Sequence, residues 1–597
     1  MSDNTYAAEM AELMIYDERM RRAGERMGLS TYLIDYWYMH DAQITQILPF
    51  VGVPGDYHYW NKGKEAEKNR QNGYGGHIYE MVLNTNPSVC YLSSTNSMPM
   101  QLHVMAHAVW GHVDFFKNNK MFAETQPETV LARFKLGRNK IEALVQNQEW
   151  GWETVEYYMD AIHAIENYVG WLPTFPGQLT DKELREQLKQ QLVDVRRREK
   201  QEGEVSASVK RQLKIQGDMI EAQLKRYPIQ PTTDLLGFLM DPDNTPNLPD
   251  EVRTLLSIVR DRSLYFQPQG RTKFMNEGWA SYWQRELLLQ PEVDLPFEFR
   301  FDLAQSWTMH DQMPMMWYTD PYALGQHVWR YIDRKYGKDE GSIKVKQFKM
   351  SKGADGIPVE GKRAKLVEVD VRNRDKMMEV RRHYDDSRFM DEFVNEELFE
   401  FINEQALEWV YRVMRIINET LAKNGWSRSL IHKKLPLNLE GLAQILGQWS
   451  EVQESSEEYH QSMGTPRFPV PAETLKQIGS VLQTVYSFDM DKHKARRQIV
   501  FRTAGHWVPN IQLVDTGKFG DNSWTLLHTF DENFGPLLQS ECRDTLKFFW
   551  RLRGVASPVR LLTMEIKTDQ RGRPLGPPRP YEYFTEDGEN VKERWLS

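Results

Sequence analysis

Three stretches of this 597-residue chain are apolar and aromatic at helical spacing, yet each carries ionisable side chains. That combination limits the folds open to it. Residues 98–116 contain His103, His107 and His112; residues 150–168 contain Glu153, Glu156, Asp160 and His163; residues 270–287 contain Glu277. A helix that is apolar all round is buried, and a buried charge is costly unless it is paired. Separate burial would impose that cost several times. The sequence therefore predicts that helices near 100–116, 150–168 and 270–287 form one bundle. Their polar side chains would converge on a pocket roofed by the loop 57–64.

The spacing within each stretch sharpens this. His103 and His107 are four apart and share a helix face, the arrangement that lets two imidazoles reach one metal. His112 lies five residues after His107, roughly 140° away around an α-helix, so those two share a site only if Gly111 bends or ends the helix. Val104 and Ala108 follow the first two histidines, which excludes the H-E-x-x-H pattern of zinc peptidases. Glu153, Glu156, Asp160 and His163 fall on one helical stripe. Asp160 and His163 have the acid-x-x-His spacing used in di-iron bundles, but no second copy accompanies it. Glu277 sits beside Gly278, which permits close backbone approach. Hydrogen-bonded core histidines, a solvated acidic stripe and a capping Glu are the plainer readings of these three groups. His310 and His327 are more simply structural.

Organisation along the chain predicts a mainly α protein. An N-terminal helical bundle-like domain with short strands spans 1–340, including a charged helical arm at 180–226. A strand-bearing linker region follows at 341–375, then a smaller C-terminal α+β module at 376–597 with an insertion near 427–470. Residues 6–50 read as helical, and 78–92 alternate as one or two strands. The tail carries strands at RQIVF, IQLVD and VRLLTMEI and a helix near 535–553.

Composition excludes several functions. Net charge is −9, which leaves no basic excess for general nucleic-acid binding. Two cysteines, Cys90 and Cys542, make neither a disulfide framework nor a cysteine zinc site. The N-terminus has acids and no apolar signal core, and no run is long and apolar enough to span a membrane, so a cytoplasmic protein is expected. No phosphate-binding G-x-x-x-x-G-K-[ST], no G-x-S-x-G and no G-x-G-x-x-G occurs, so ATP use and dinucleotide redox are unsupported. The loop around Tyr57, Trp60 and Lys64 suits a polar substrate's cleft, with Lys64 available to an anionic group; a packed surface loop is its simpler reading.

Seven blocks occur in the order that a known family uses: YHYWNKGK (57–64), YEMVLNTNP (79–87), MAHAVWGHVDFFKNN (105–119), ETVEYYMDAIHA (153–164), DLLGFL (234–239), FMNEGWASYW (274–283) and DPYALG (320–325). With these the chain resembles the SpoVR (stage V sporulation protein R) family over its first 340 residues. The family pattern keeps His107 and His112 and leaves position 103 apolar. It places a His after NEGWASYW, where this chain has Gln284.

Three functions compete. The first is a metal-dependent hydrolase of amide or peptide-like bonds. A divalent metal, zinc with iron as the alternative, would bind His107, His112 and either Glu277 or His163. Glu153 or Glu156 would accept the proton, Tyr57, Trp60 and Lys64 would bind substrate, and the sporulation link implies a cell-wall-related substrate. The second is a di-iron carboxylate enzyme. The third is a regulatory or scaffold protein acting with the PrkA-type serine kinase and von Willebrand-like partner that accompany relatives.

Overall fold

The computed structural model describes residues 3–47, 53–60, 80–170, 180–200, 206–300, 302–303, 320–337, 343–349, 365–371, 373–402, 404–405, 508–530, 535–553, 557–567, 569 and 575–596. Helices dominate them, as the sequence predicts. By residue contacts the chain divides into two units: unit 1 takes 1–54, 59–129 and 269–504, and unit 2 takes 55–58, 130–268 and 505–597. The insertion near 427–470 and the strand RQIVF lie outside the described residues, as do Lys64 and His310.

Unit 1 opens with α1 (Asp3–Arg26), followed by β1 (Ile34–Met39), β2 (Glu80–Val82) and β3 (Ser88–Ser93). The sheet order is β1-β3-β2, with β1 parallel and β2 antiparallel to the central strand. β3 is buried throughout. Residues 34–39 correct the expectation of helix over 6–50. Ile34, Tyr36 and Tyr38 are half-buried while Asp35 and Trp37 are exposed, the period of a strand with one covered face. Tyr36 and Tyr38 donate to Asp17 and Glu9 of α1, which ties the strand to that helix.

The core of unit 1 is built around three helical pieces. α2 (Met98–His107) runs into a π-helical turn, Ala108–Val113, and continues as α3 (Asp114–Asn118). Further along, α9 (Lys273–Leu288) and α10 (Pro321–Tyr336) pack against each other, and α9 also packs on α2 and the π turn. α9 is covered on nearly every side: Phe274 to Gln284 are all buried. Two glycine contacts permit this. A Cβ on Gly278 would lie 2.2 Å from the Gly325 carbonyl carbon, and one on Gly111 would lie 2.4 Å from the Cα and Cβ of Ala280. α11 (Asp375–His383) and α12 (Asp386–Phe393) pack into the same unit. The 341–375 stretch carries an antiparallel ladder of β4 (Ile343–Lys349) and β5 (Lys365–Val371).

Unit 2 contains α4 (Val130–Gln146), α5 (Gly151–His163), α6 (Asp181–Glu199), α7 (Ala207–Leu224) and most of α8 (Asp250–Arg271). Here the charged arm forms a helical pair. Leu188, Val195 and Ile220 close a small core with Ile229, and Thr180 and Glu183 form a capping box that starts α6. The tail is a five-stranded sheet of order β10-β9-β8-β7-β6, from β6 (Ile511–Asp515), β7 (Trp524–His528), β8 (Val559–Glu565), β9 (Arg579–Thr585) and β10 (Val591–Trp595). α13 (Gln539–Arg551) packs on it and on α5. β7 and β8 are parallel, as a crossover helix between them allows. The tail is thus α+β, and by contacts it groups with 130–268.

Candidate metal centre

The five-residue offset between His107 and His112 is resolved by the π turn. Its i→i+5 hydrogen bonding brings residues five apart round to nearly the same side, and such turns recur at functional sites. The helix does not end at Gly111; it widens there. Gly111 meets Ala280 directly, so the turn sits against α9 one residue before His112. The two imidazoles stand edge to face with ring centroids 4.7 Å apart.

Glu277 of α9 completes a cluster. His107, His112 and Glu277 are all buried, and one ligand atom from each lies within 4.8 Å of the others. The Nε2 atoms of His107 and His112 face Glu277 Oε2 at 3.6 and 3.4 Å. Tetrahedral ligands at bond lengths of roughly 2.1 Å lie roughly 3.4 Å apart. The two His-to-Glu spacings therefore suit a divalent cation. Among the described residues this is the group of three or more His, Cys, Asp or Glu close enough to hold an ion.

The remaining nitrogens are committed elsewhere. Nδ1 of His107 lies 2.5 Å from Gln284 Oε1, and Nδ1 of His112 lies 3.0 Å from Asn276 Oδ1. A carboxamide oxygen only accepts, so both Nδ1 atoms donate to these amides and each Nε2 is left on the Glu277 side. This outer-shell arrangement orients metal-binding imidazoles. Both acceptors come from α9, the helix that supplies Glu277. Burial alone would raise the Glu277 carboxyl, but His112, His107 and Lys273 outweigh it and hold the group well below the usual carboxylate range. Lys273 reaches Glu277 Oε1 at 2.5 Å and leaves Oε2 toward the imidazoles.

Buried ion chemistry fixes the two helices that carry the cluster. Asp114, two residues after His112, is wholly buried and accepts from Arg381, from Trp279 Nε1 and from the Ser30 backbone N–H. Trp279 is two residues after Glu277, so this one carboxylate ties the segments that carry His112 and Glu277 to α11. Asp386 accepts the backbone N–H groups of Phe274 and Met275 at the start of α9. Its carboxyl is pushed up to about 8, burial outweighing those two bonds.

The other sequence candidates fall as follows. His103 is half-buried and stacks on His107 with centroids 6.5 Å apart. His327 is buried in α10. The predicted three-helix bundle forms from the first and third members, while α5 belongs to unit 2. There His163 contacts the Tyr57 hydroxyl through Nε2 at 3.1 Å and Glu166 through Nδ1 at 2.8 Å. Arg262 holds Asp56 beside Tyr57 and lies 3.8 Å from Glu166. Glu153 is exposed and Glu156 half-exposed, so the stripe does not carry the burial cost that motivated a cation there. Trp60 is exposed and Tyr57 buried. Sequence reasoning missed Asn276, Lys273, Asp114 and Arg381 as members of the site. Lys273 was within reach, being four residues before Glu277 on one helix; Arg381 had no local signal.

Comparison with known proteins bears out the family resemblance. The chain is 32% identical over 333 residues to the uncharacterized protein YcgB of Escherichia coli (strain K12), a match covering 54% of this chain and 63% of that protein, so less than two thirds of the relative's length is spanned. No solved structure matches. No described helix is long and apolar enough to cross a membrane. The model of the SpoVR-like proteins matches residues 7–435, which include both histidines, Glu277 and the outer-shell amides, and the chain belongs to that family.

Proposed function

We propose that this protein is a metal-dependent hydrolase of amide or peptide-like bonds. It would work through one divalent ion, zinc with iron as the alternative, held by His107, His112 and Glu277. The observation that carries this is the meeting of two imidazole Nε2 atoms and a carboxylate oxygen at 3.4–3.6 Å, with both Nδ1 atoms tied back to amides. Three protein ligands are the catalytic pattern, since a fourth position stays open. The same two-His, one-carboxylate set serves mononuclear iron, whereas di-iron bundles draw on several carboxylates. Of the two candidates for third ligand, Glu277 is supported over His163, whose ring nitrogens face Tyr57 and Glu166.

In such a site zinc supplies Lewis acidity, polarising a carbonyl and bringing the pKa of water toward about 7. The chain's own part is orientation. Asn276 and Gln284 hold the two Nδ1 atoms, Lys273 pairs with Glu277 Oε1, and the buried surroundings exclude bulk water. Glu153 and Glu156 stay proposed as proton acceptors, and a cell-wall-related substrate stays proposed from the family alone. The test is metal analysis of untagged protein. About one equivalent of zinc or iron is expected, and it should be lost in His107→Ala and Glu277→Gln without loss of fold. Metal-free protein that takes up none on reconstitution overturns the reading.

A regulatory reading, with a PrkA-type kinase and a von Willebrand-like protein as partners, draws on one feature. The α6–α7 arm encloses its own small core yet exposes Val193, Ile215 and Met219. Exposed apolar side chains on a charged arm suit docking.

A further inference from the structure

We propose that Lys273 and Tyr322 form an anion subsite at the mouth of the His107–His112–Glu277 cluster, and that the substrate carries a carboxylate next to the bond presented there. The inference rests on the metal reading above and names the substrate class for the same site.

The cluster is layered by exposure. The three ligands and their two amide partners are buried. Directly against them stand two side chains that reach solvent: Lys273, 53% exposed, and Tyr322, 43% exposed. The Tyr322 ring lies along the His107 ring, with centroids 6.0 Å apart and planes 29° apart. The Lys273 ammonium sits 6.0 Å from the Tyr322 centroid. A ligand reaching the open metal position from this side meets the cation and the aromatic ring side by side.

Charge decides what that ligand is. Lys273 and Glu277 cancel as a pair, so a bound divalent cation leaves the mouth with two net positive charges in a low-dielectric setting, which favours an anion. An ammonium has three donors, and one is given to Glu277 Oε1. A carboxylate that binds a metal through one oxygen is commonly hydrogen-bonded through the other; Lys273 fills that role and keeps two donors for substrate. The end of α9 does not compete for the anion, because the N–H groups of Phe274 and Met275 are taken by Asp386. The plainer alternative is an ordinary i,i+4 pair, which stabilises a helix slightly and recognises nothing.

Two metal-directed probes separate the alternatives. Acetohydroxamate is a neutral chelator, and succinic monohydroxamate adds a carboxylate. Each would be titrated calorimetrically into the zinc-reconstituted full chain and into Lys273→Met and Lys273→Arg. The carboxylated probe should bind wild type about tenfold or more tighter than the neutral one, as a charge-assisted hydrogen bond provides. That advantage, read as the ratio of the two affinities at full zinc occupancy so that any weaker metal binding affects both probes alike, should vanish in Lys273→Met and partly return in Lys273→Arg. Equal binding of both probes to wild type overturns the subsite and leaves the metal centre standing. Failure to take up zinc, or to bind the neutral probe, removes the metal reading and this inference with it.

Discussion

Replacing Gly111 by Ala tests whether the closeness of the π turn to α9 is what assembles the cluster. The added Cβ would lie 2.4 Å from the Cα and Cβ of Ala280, whereas non-bonded carbons rest at about 3.5–4.0 Å. The neighbour is α9 backbone, so no side chain can swing away, and the two segments must part by more than about 1 Å. Overpacking of this kind costs about 1–3 kcal/mol. At about 2–4 °C per kcal/mol, Tm should fall by roughly 2–12 °C. His112 is the next residue along the turn, and Glu277 lies three residues before Ala280. A separation of that size carries the 3.4 Å gap between His112 and Glu277 beyond the limit of roughly 4.2 Å that two metal bonds can bridge. Zinc affinity, measured by competition with a chromogenic chelator, should fall at least about tenfold, a loss of about 1.4 kcal/mol. Gly270→Ala is the control. Among the described residues nothing lies within 4 Å of its would-be Cβ, and Ala in a helix is favoured over Gly by about 0.5–1 kcal/mol. A Gly111→Ala protein that keeps its Tm within about 1 °C and its zinc affinity unchanged would refute the reasoning.

Two further outcomes are expected. The Asp386 carboxyl is raised to about 8 by burial in the fold, so the native state holds a proton that the unfolded state releases near the ordinary value of 3.8. Stability from this group is therefore present at acid pH and is lost as pH rises toward and through 8. Asp386→Asn removes the charge and keeps an acceptor for one of the two α9 amides, so its Tm relative to wild type should rise as pH goes from 5 to 9, whatever the constant offset from the lost bond; parallel Tm curves would contradict this. Deleting residues 186–223 with a short Gly-Ser closure should leave metal content unaltered and lower Tm only slightly, because the arm's core is small and largely its own. The same deletion should abolish co-purification with a PrkA-type kinase if the arm docks partners; an aggregated product would show that the arm supports unit 2.

Local pattern carried the sequence reading wherever one helix or strand sufficed. The apolar runs around His107 and Glu277, the charged arm and the strands IQLVD and VRLLTMEI all emerged where periodicity placed them. The reading failed at 34–39 because six residues of alternating aromatics are too few to outweigh a helical neighbour when pattern is scored over a longer window. It left His107 and His112 dependent on a bend because α-helical geometry was assumed; a π turn has no residue signature of its own, and its signal here is the Gly111–Ala280 contact, which exists only after folding. His163 drew attention by sharing an apolar helix with three acids. Its neighbours explain it without a metal, since Glu166 lies three residues away and Tyr57 arrives from 106 residues upstream.

The members that sequence could not supply are the long-range ones, and they hold the geometry. Arg381 reaches Asp114 across 267 residues, and Asp386 reaches α9 across about 110. Removing one partner of a buried pair costs about 3–5 kcal/mol, because the other charge stays behind unpaired. A carboxylate that grips Trp279, Arg381 and the Ser30 amide at once is rigid for that reason. Such rigidity is what a three-ligand site needs, since a ligand set held to within roughly 0.5 Å keeps its fourth position open and defined. The candidate ligands stood out because metal chemistry restricts which residue types could serve. The network that aims them was not, because any buried acid and base can pair, and only the fold decides which ones meet.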